Sequence, residues 1–245
     1  MTVPGGCDAL AFLDVDDPTK KKDGSPNIEL LFIAASPFSD TVTANGIGFN
    51  ERIMEDFSEL QKRHNFGVFP LLLQPKSRGW IRLRSKNPHD KPIIVPNYLD
   101  HPEDIRLLIE GIRATIRVSK TKAMQDFGTK LYVKKFPECA NYTFDTDDYW
   151  LCCIRVATIN IYHYSGTCKM GPKHDKTAVV DPRLKVIGIE GLRVADASIM
   201  PNIISGHTNV PTLMIGEKLA DMVKEEPYMH CFANGAHVKE ITITS

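Results

Sequence analysis

The chain has 245 residues, long enough for one large domain or two modest ones, each with a hydrophobic core. Its hydrophobic fraction of 42% and charged fraction of 24% are typical of an ordinary globular protein. Thirty basic and thirty acidic residues cancel, which argues against nucleic acid as a partner, and no apolar run reaches the ~18 residues that a membrane span needs.

Several short strands are predicted in the first hundred residues. After a charged turn at 20–27, the run IELLFIAAS predicts a buried strand because it is short and almost continuously apolar. GVFPLLLQ and WIRLR predict two more strands, the second partly alternating, as in a half-exposed antiparallel strand. KPIIVPNYL predicts a further strand that its prolines limit to an edge.

A first helix is predicted over residues 50–65. Ile53, Phe57 and Leu60 lie on one face at helical spacing, and the side chain of Asn50 is placed to cap the amino-terminal end. This pattern indicates an amphipathic helix that packs on the strands.

The clearest helix is predicted over residues 100–128. Asp100 or His101 can cap it, Pro102 suits its first turn, and Gly128 can end it. Its predicted buried stripe consists of five residues at helical spacing: Ile105, Leu108, Ile109, Ile112 and Ile116.

Two more helices are predicted towards the carboxyl terminus. One covers residues 145–158, capped by Asp145 or Thr146, and the other covers residues 211–226. Strands come first, helices follow, and no regular βαβ alternation exists. The predicted fold class is therefore α+β, an antiparallel sheet with flanking helices.

A partial nucleotide-binding pattern occurs at Gly46-x-Gly48. The third glycine of G-x-G-x-x-G is missing because Glu51 stands there, and the preceding SPFSDTVTA is a weak strand. We interpret this segment as a loop that enters the helix at 50–65, and we predict no Rossmann phosphate loop in this chain.

Cysteines and histidines do not indicate a metal site. The spacing of His163, Cys168 and His174 does not match a zinc pattern. Cys152 and Cys153 are adjacent, a poor geometry for a bond to each other. Six cysteines are too few for a disulfide scaffold at this length, at positions 7, 139, 152, 153, 168 and 231.

One glycosylation sequon, Asn141-Tyr142-Thr143, is present. It is compatible with secretion but often arises by chance. The compartment therefore stays open, with secretion of the full-length protein as one expectation.

The segment NIYHYSGTCKMGP places His163 between two tyrosines and ahead of Gly166 and Gly171. The tyrosines can form an apolar wall, and the glycines allow a tight turn or a close approach. A histidine in this setting is either a packed core residue or a catalytic one, and the segment alone does not decide between them.

A second segment, at 191–217, reads GLRVADASIMPNIISGHTNVPTLMIGE. Residues 192–195 predict a short buried strand that delivers Asp196 at its end. His207 lies just before the last helix, whose amino-terminal N–H groups would favour an anionic partner. Taken alone, Asp196 is more typical of a turn and His207 of a residue beside a helix cap.

Together, these two motifs resemble the carboxyl-terminal half of the glucose-methanol-choline (GMC) oxidoreductases, in particular the insect glucose dehydrogenase-like members. Two further segments, PKSRGWIRLRSKNP and GGCDALAF, match more loosely, and the resemblance covers nearly all of residues 5–226. It implies a substrate-binding domain with an antiparallel sheet, together with the carboxyl-terminal piece of an FAD-binding domain. The tail from residue 227 lies outside it.

The resemblance implies a role for each matching residue. His163 would be the base that removes the proton of the substrate hydroxyl, and His207 would be the second catalytic residue. The implied cofactor is FAD, which accepts the hydride at N5. The implied cofactor contacts are Tyr162, Asp196, Ala197, Thr208, Asn209 and Pro211.

The chemistry is consistent with these residue types. A histidine, with an ordinary pKa of ~6.5, can accept a proton near neutral pH. His163 and His207 are 44 positions apart, so they can meet only through the tertiary fold. The expected substrate is a small alcohol or sugar, and the expected electron acceptor is oxygen or a quinone.

The expected organisation is a substrate-binding portion at 1–160, a catalytic and flavin-contacting segment at 161–226, and a tail at 227–245. The family's G-x-G-x-x-G lies upstream of the matched part, so we expect a fragment without the amino-terminal Rossmann part and with weak or no activity in isolation. The alternative is a non-catalytic, truncated binding domain of the same family.

Overall fold

The computed structural model describes residues 7–16 and 25–225. The predicted loop at 20–27 lies mostly outside these residues, and the tail at 227–245 lies wholly outside them. The described part contains two antiparallel sheets and flanking helices, which confirms the α+β class. None of the described helices has the length and apolar character that crossing a membrane requires.

The larger sheet has three antiparallel strands in the order β1, β2, β3. The central strand carries the residues that were predicted to be buried, and Leu13 and Leu72 both pair with its first residue, Ile28. The strands are β1 (Cys7–Leu13), β2 (Ile28–Ile33) and β3 (Gly67–Leu72).

The two faces of β2 have different partners. Ile28 and Leu30 pack with Leu107 and Ala114 in one hydrophobic cluster. Glu29 is also buried, but strand geometry turns its side chain to the opposite face. The central strand is therefore covered on both sides, which explains its nearly continuous apolar sequence.

The second sheet is a hairpin of β4 (Trp80–Arg82) and β5 (Ile93–Val95). All three residues of β4 are exposed, so the predicted alternation has no buried face in this chain. Gly79 precedes the hairpin at a point where its main chain lies very close to that of Val95. A Cβ at residue 79 would lie 2.3 Å from the carbonyl oxygen of Val95.

The long helix α3 (Pro102–Ser119) covers the larger sheet and begins as predicted. His101 caps it, with Nδ1 accepting a hydrogen bond from the N–H of Glu103 at 3.1 Å. The helix ends earlier than predicted because Thr121 turns to an extended conformation and its hydroxyl binds the carbonyl of Val118. A separate short helix, α4 (Lys122–Asp126), follows.

The buried face of α3 also differs from the prediction. Gly111 lies where a Cβ would come within 3.0 Å of Pro70, so the helix approaches the sheet closely at this glycine. Of the predicted stripe, only Ile116 is fully buried. The fully buried residues are Asp104, Leu107, Gly111, Ala114 and Ile116.

An aromatic cluster forms separately from the hydrophobic cluster that β2 shares with α3. Residues 41–47, predicted as part of a weak strand and a loop, form α1 (Thr41–Ile47). Asn50 caps α2 (Glu51–Asp56) as predicted, and a short 3-10 helix follows at Ser58–Lys62. Phe38 stacks on Phe57, and Phe136 packs against both rings.

The next element, α5 (Asp147–Ala157), begins at Thr146, whose hydroxyl accepts from the N–H of Tyr149. A disulfide joins Cys152 of this helix to Cys139 of a 3-10 turn at Pro137–Cys139. The sequence did not predict this pairing, although it disfavoured a bond between the adjacent Cys152 and Cys153.

The segment between α5 and the last helix is irregular. The strand predicted at 192–195 does not form, because only an isolated bridge between Lys185 and Arg193 connects this stretch to its neighbour. The segment is held instead by a hydrophobic cluster around Val180 and Leu184. This cluster includes residues of α6 (Asn209–Lys224).

Candidate active site

The two segments with candidate catalytic residues lie side by side. The N–H groups of Gly166 and Cys168 donate to the carbonyls of Ala197 and Ser198, at 3.3 and 2.9 Å. A third bond joins the N–H of Met170 to the next carbonyl along that segment at 2.8 Å. These main-chain bonds bring the segment with His163 next to the segment with Asp196.

His163 and His207 meet in space. Their ring centroids are 5.0 Å apart, and the ring planes are almost perpendicular at 83°. The main chain at His163 is held by Asn160, whose Oδ1 accepts from the N–H of His163 at 3.1 Å. The expected convergence of the two imidazoles is therefore present in the structure.

A buried carboxylate that no sequence motif predicted lies at this pair. Glu29, on β2, has its Oε1 2.9 Å from Nε2 of His207, and its side chain is only 2% exposed. A charged residue inside the apolar run IELLFI was the available signal, since a buried charge requires a partner. The sequence could not identify that partner, which lies 178 positions away.

The surroundings of His163 favour its neutral form. Burial lowers the pKa of His163 below its ordinary value of 6.5, and the neighbouring His207 lowers it further, whereas Glu29 acts in the opposite direction. An imidazole with a lowered pKa is unprotonated at neutral pH. His163 is therefore in the state that can accept a proton.

Aromatic residues around His163 point to solvent rather than forming a closed apolar wall. Tyr162 is 83% exposed and has a φ of +67°, a strained conformation for a non-glycine residue. Tyr98 lies close enough to Tyr164 and Asn160 for both residues to affect its pKa. Burial raises the pKa of Tyr98, and Tyr164 adds to the rise.

Asp196 and Ala197 form the start of a 3-10 helix at Ala197–Ile199. Oδ1 of Asp196 accepts from the N–H of Ser198 at 2.7 Å and so caps this turn. Ala197 contributes the carbonyl that binds Gly166. The structure thus places both residues beside the His163 segment, with a turn-forming role for the Asp196 side chain.

The amino-terminal end of α6 directly follows His207. Thr208 occupies the cap position and is buried, but its hydroxyl makes no capping hydrogen bond. Pro211 in the first turn has no N–H. The N–H groups of Asn209 and Val210 have no acceptor among the residues that the structure describes. This helix end therefore presents two main-chain donors next to His207.

No group of three or more metal-binding side chains is found within residues 7–16 and 25–225. The groups that the structure brings together here are two imidazoles, a buried carboxylate, exposed aromatic rings and a helix amino terminus.

Residues 75–216, more than half of the chain, match the family model described as GMC oxidoreductase. The glucose dehydrogenase (FAD, quinone) of Drosophila melanogaster is 46% identical over 157 residues, which are 64% of this chain and 25% of the relative. An alcohol dehydrogenase (acceptor) of Pseudomonas putida is 44% identical over 151 residues, which are 62% of this chain and 26% of the relative.

A solved structure of Aspergillus oryzae RIB40 formate oxidase, a variant studied for its effect on FAD modification, is similar in fold. It aligns with a TM-score of 0.65 and 29% identity over 86% of this chain and 33% of the other. The part of this chain that matches the Drosophila and Pseudomonas relatives spans about a quarter of the length of each. The family match covers both motifs around the histidine pair, and the chain belongs to the GMC oxidoreductase family.

Proposed function

We propose that this chain forms the catalytic carboxyl-terminal part of an FAD-dependent oxidoreductase that oxidises the CH–OH group of a small alcohol or sugar. The observation that carries the proposal is the 5.0 Å separation of the His163 and His207 rings. At this distance, one substrate oxygen can contact both side chains.

In this proposal, His163 accepts the proton of the substrate hydroxyl. Its lowered pKa keeps the imidazole neutral at pH 7, so it can act as a base. His207 acts as the second contact to the substrate oxygen. Glu29 holds the ring of His207 through Nε2, which leaves the other ring nitrogen for the substrate.

The residues present fit FAD as the cofactor. The N–H groups of Asn209 and Val210 are suitable donors for the electron-rich pyrimidine edge of a flavin, with the adjacent Thr208 and Pro211 shaping that helix end. Tyr162 is an exposed ring beside His163. Asp196 and Ala197 would line the cofactor on the neighbouring segment. Bound FAD would supply the oxidant that takes the hydride from the substrate carbon.

The names of the relatives support this reaction class. The Drosophila relative is named for glucose, FAD and quinone, and the Pseudomonas relative for an alcohol and an acceptor. We propose oxygen or a quinone as the electron acceptor of this protein, and the first of these names favours a quinone.

The test is His163→Ala in FAD-loaded protein that contains this chain. We expect the single-turnover rate of flavin reduction by substrate to fall by about 10²–10⁴-fold, because the proton acceptor is lost. FAD should remain bound, since His163 is not a proposed cofactor contact. Stopped-flow bleaching of the flavin absorbance measures the rate.

His174→Ala is the matched control, because His174 is an exposed histidine in the segment that follows. It should leave the rate unchanged. A His163→Ala protein with an unaltered single-turnover rate would refute the base assignment. If the protein binds no FAD in a titration, the non-catalytic alternative is favoured instead.

A further inference from the structure

Two features of secreted proteins meet in the turn before α5. The sequon Asn141-Tyr142-Thr143 begins two residues after Cys139, which is disulfide-bonded to Cys152. The sequon by itself is a common chance pattern. The disulfide is an independent observation, because nothing in the sequon requires a cysteine pair beside it.

The sequon is accessible in this chain. All three of its residues are exposed, in a turn that follows the 3-10 helix at Pro137–Cys139. The main chain of this turn is anchored, because the N–H of Tyr142 donates to the carbonyl of Cys139 at 3.2 Å. The side-chain amide of Asn141 makes no hydrogen bond to any residue that the structure describes, so it is available for reaction.

The disulfide indicates the chemical environment in which the chain folds. Cys139 is fully buried and packs with Tyr149 and Cys153. Disulfides of this structural kind form and persist in oxidising compartments and are rare in the cytosol. The neighbouring Cys153 keeps its thiol buried, and burial raises its pKa, so it is a poor nucleophile for exchange with the disulfide.

We propose that Asn141 is an N-glycosylation site and that this chain acquires both its glycan and its Cys139–Cys152 disulfide in an oxidising secretory compartment. In the transfer, the amide nitrogen of Asn141 bonds to the anomeric carbon of a lipid-linked oligosaccharide. The bond from that carbon to the diphosphate oxygen breaks, the amide loses one proton, and the lipid diphosphate leaves with the electron pair.

The disulfide forms in a separate oxidation reaction. The thiols of Cys139 and Cys152 lose two protons and two electrons to a protein disulfide oxidant, which becomes a dithiol. Both modifications therefore depend on one compartment, but neither requires the other.

The glycan lies away from the catalytic pair. The sequon precedes the amino-terminal end of α5, and the segment with His163 follows its carboxyl-terminal end. Eleven residues of α-helix are about 16 Å long at ~1.5 Å per residue. The glycan should therefore add a bulky polar group to the surface without contacting the histidines.

The test uses the protein that contains this chain, secreted from a eukaryotic host. Treatment with a peptide N-glycosidase should increase its electrophoretic mobility and convert Asn141 to aspartate, which peptide mass spectrometry detects. Thr143→Ala should abolish the modification, because the sequon hydroxyl is lost. Thr143→Ser, which keeps a hydroxyl, is the matched control and should retain it.

Peptide mapping of the secreted, non-reduced protein tests the disulfide in the same sample. The expected result is a linked pair of peptides that contain Cys139 and Cys152. An unmodified Asn141 in secreted protein with this linked pair would overturn the site assignment. Unlinked cysteines in the secreted protein would overturn the compartment assignment.

The Thr143→Ala variant should keep its activity unchanged, because this turn lies at the end of α5 that is away from the His163 segment.

Discussion

At the scale of single residues, the buried carboxylate of Glu29 explains how His207 is held. A carboxylate that is 2% exposed is costly to bury without a partner, and the imidazole of His207 provides that partner at 2.9 Å. The same carboxylate raises the pKa of His163, which burial and His207 lower. Glu29 therefore affects both imidazoles although it contacts only one of them.

Replacing the charge tests this account. Glu29→Gln keeps the shape but removes the negative charge that raises the pKa of His163. A base must be deprotonated to work, so a lower pKa moves the acidic limb of activity to lower pH. We expect this downward shift in the pH profile of flavin reduction in FAD-loaded protein.

His207→Asn is a companion variant, for which we expect the pH profile to shift in the opposite direction. It removes a neighbour that lowers the pKa of His163, so its acidic limb should move to higher pH. The measured quantity for each variant is the pH at the midpoint of the acidic limb, and not the maximal rate. An upward shift for Glu29→Gln would contradict the electrostatic role.

At the scale of elements, α3 does more than cover the sheet. Asp104, an acidic residue in the first turn of this helix, is only 1% exposed. Its carboxylate accepts from the N–H of Lys76 at 2.8 Å, and from the N–H and hydroxyl of Ser77 at 2.8 and 2.5 Å. The first turn of α3 thus holds the turn that connects β3 to the β4–β5 hairpin.

Asp104→Asn should destabilise the chain by about 3 kcal/mol, because the amide cannot accept all three hydrogen bonds and leaves a buried donor unsatisfied. Urea unfolding followed by circular dichroism measures the free energy of unfolding. The control is Asp126→Asn, an exposed carboxylate in an i,i+4 pair with Lys122, which should change stability by less than about 0.5 kcal/mol. Equal effects of the two variants would contradict the role of Asp104.

At the scale of the whole molecule, three polar contacts connect the region around the sheet to the loop that carries His207. Besides the Glu29 contact, Gln74 donates to Oγ of Ser205 at 2.9 Å, and Arg78 donates to Oδ1 of Asn202 at 3.2 Å. The proposed boundary at residue 160 stays a prediction, but these contacts cross it. They couple the turn held by Asp104 to the position of His207.

Removing two of these contacts should loosen the loop. In the double variant Gln74→Ala with Arg78→Ala, we expect faster amide hydrogen exchange at residues 201–207 and unchanged exchange in the middle of α3. Hydrogen-exchange mass spectrometry measures both. Lys76→Ala is the control, because this residue binds Asp104 through its main-chain N–H. Unaltered exchange in the double variant would show that the contacts do not restrain the loop.

Much of the local structure was predictable from the sequence. The caps at Asn50, His101 and Thr146 form as the residue types indicate, and the run that starts at Ile28 forms the buried central strand. The motifs around His163 predicted the family, which the comparison confirms. The proposed FAD contacts stay predictions.

By itself, the sequence determined what depends on a few neighbouring residues: caps, hydrophobic periodicity and the order of the family motifs. Only the tertiary structure decided that Glu29 reaches His207, that Cys139 pairs with Cys152, and that residues 192–195 form no strand. The physical reason is that a cap or a stripe is set by atoms within a turn or two of the chain. A contact between distant residues depends instead on how whole elements pack, and no short pattern encodes that packing.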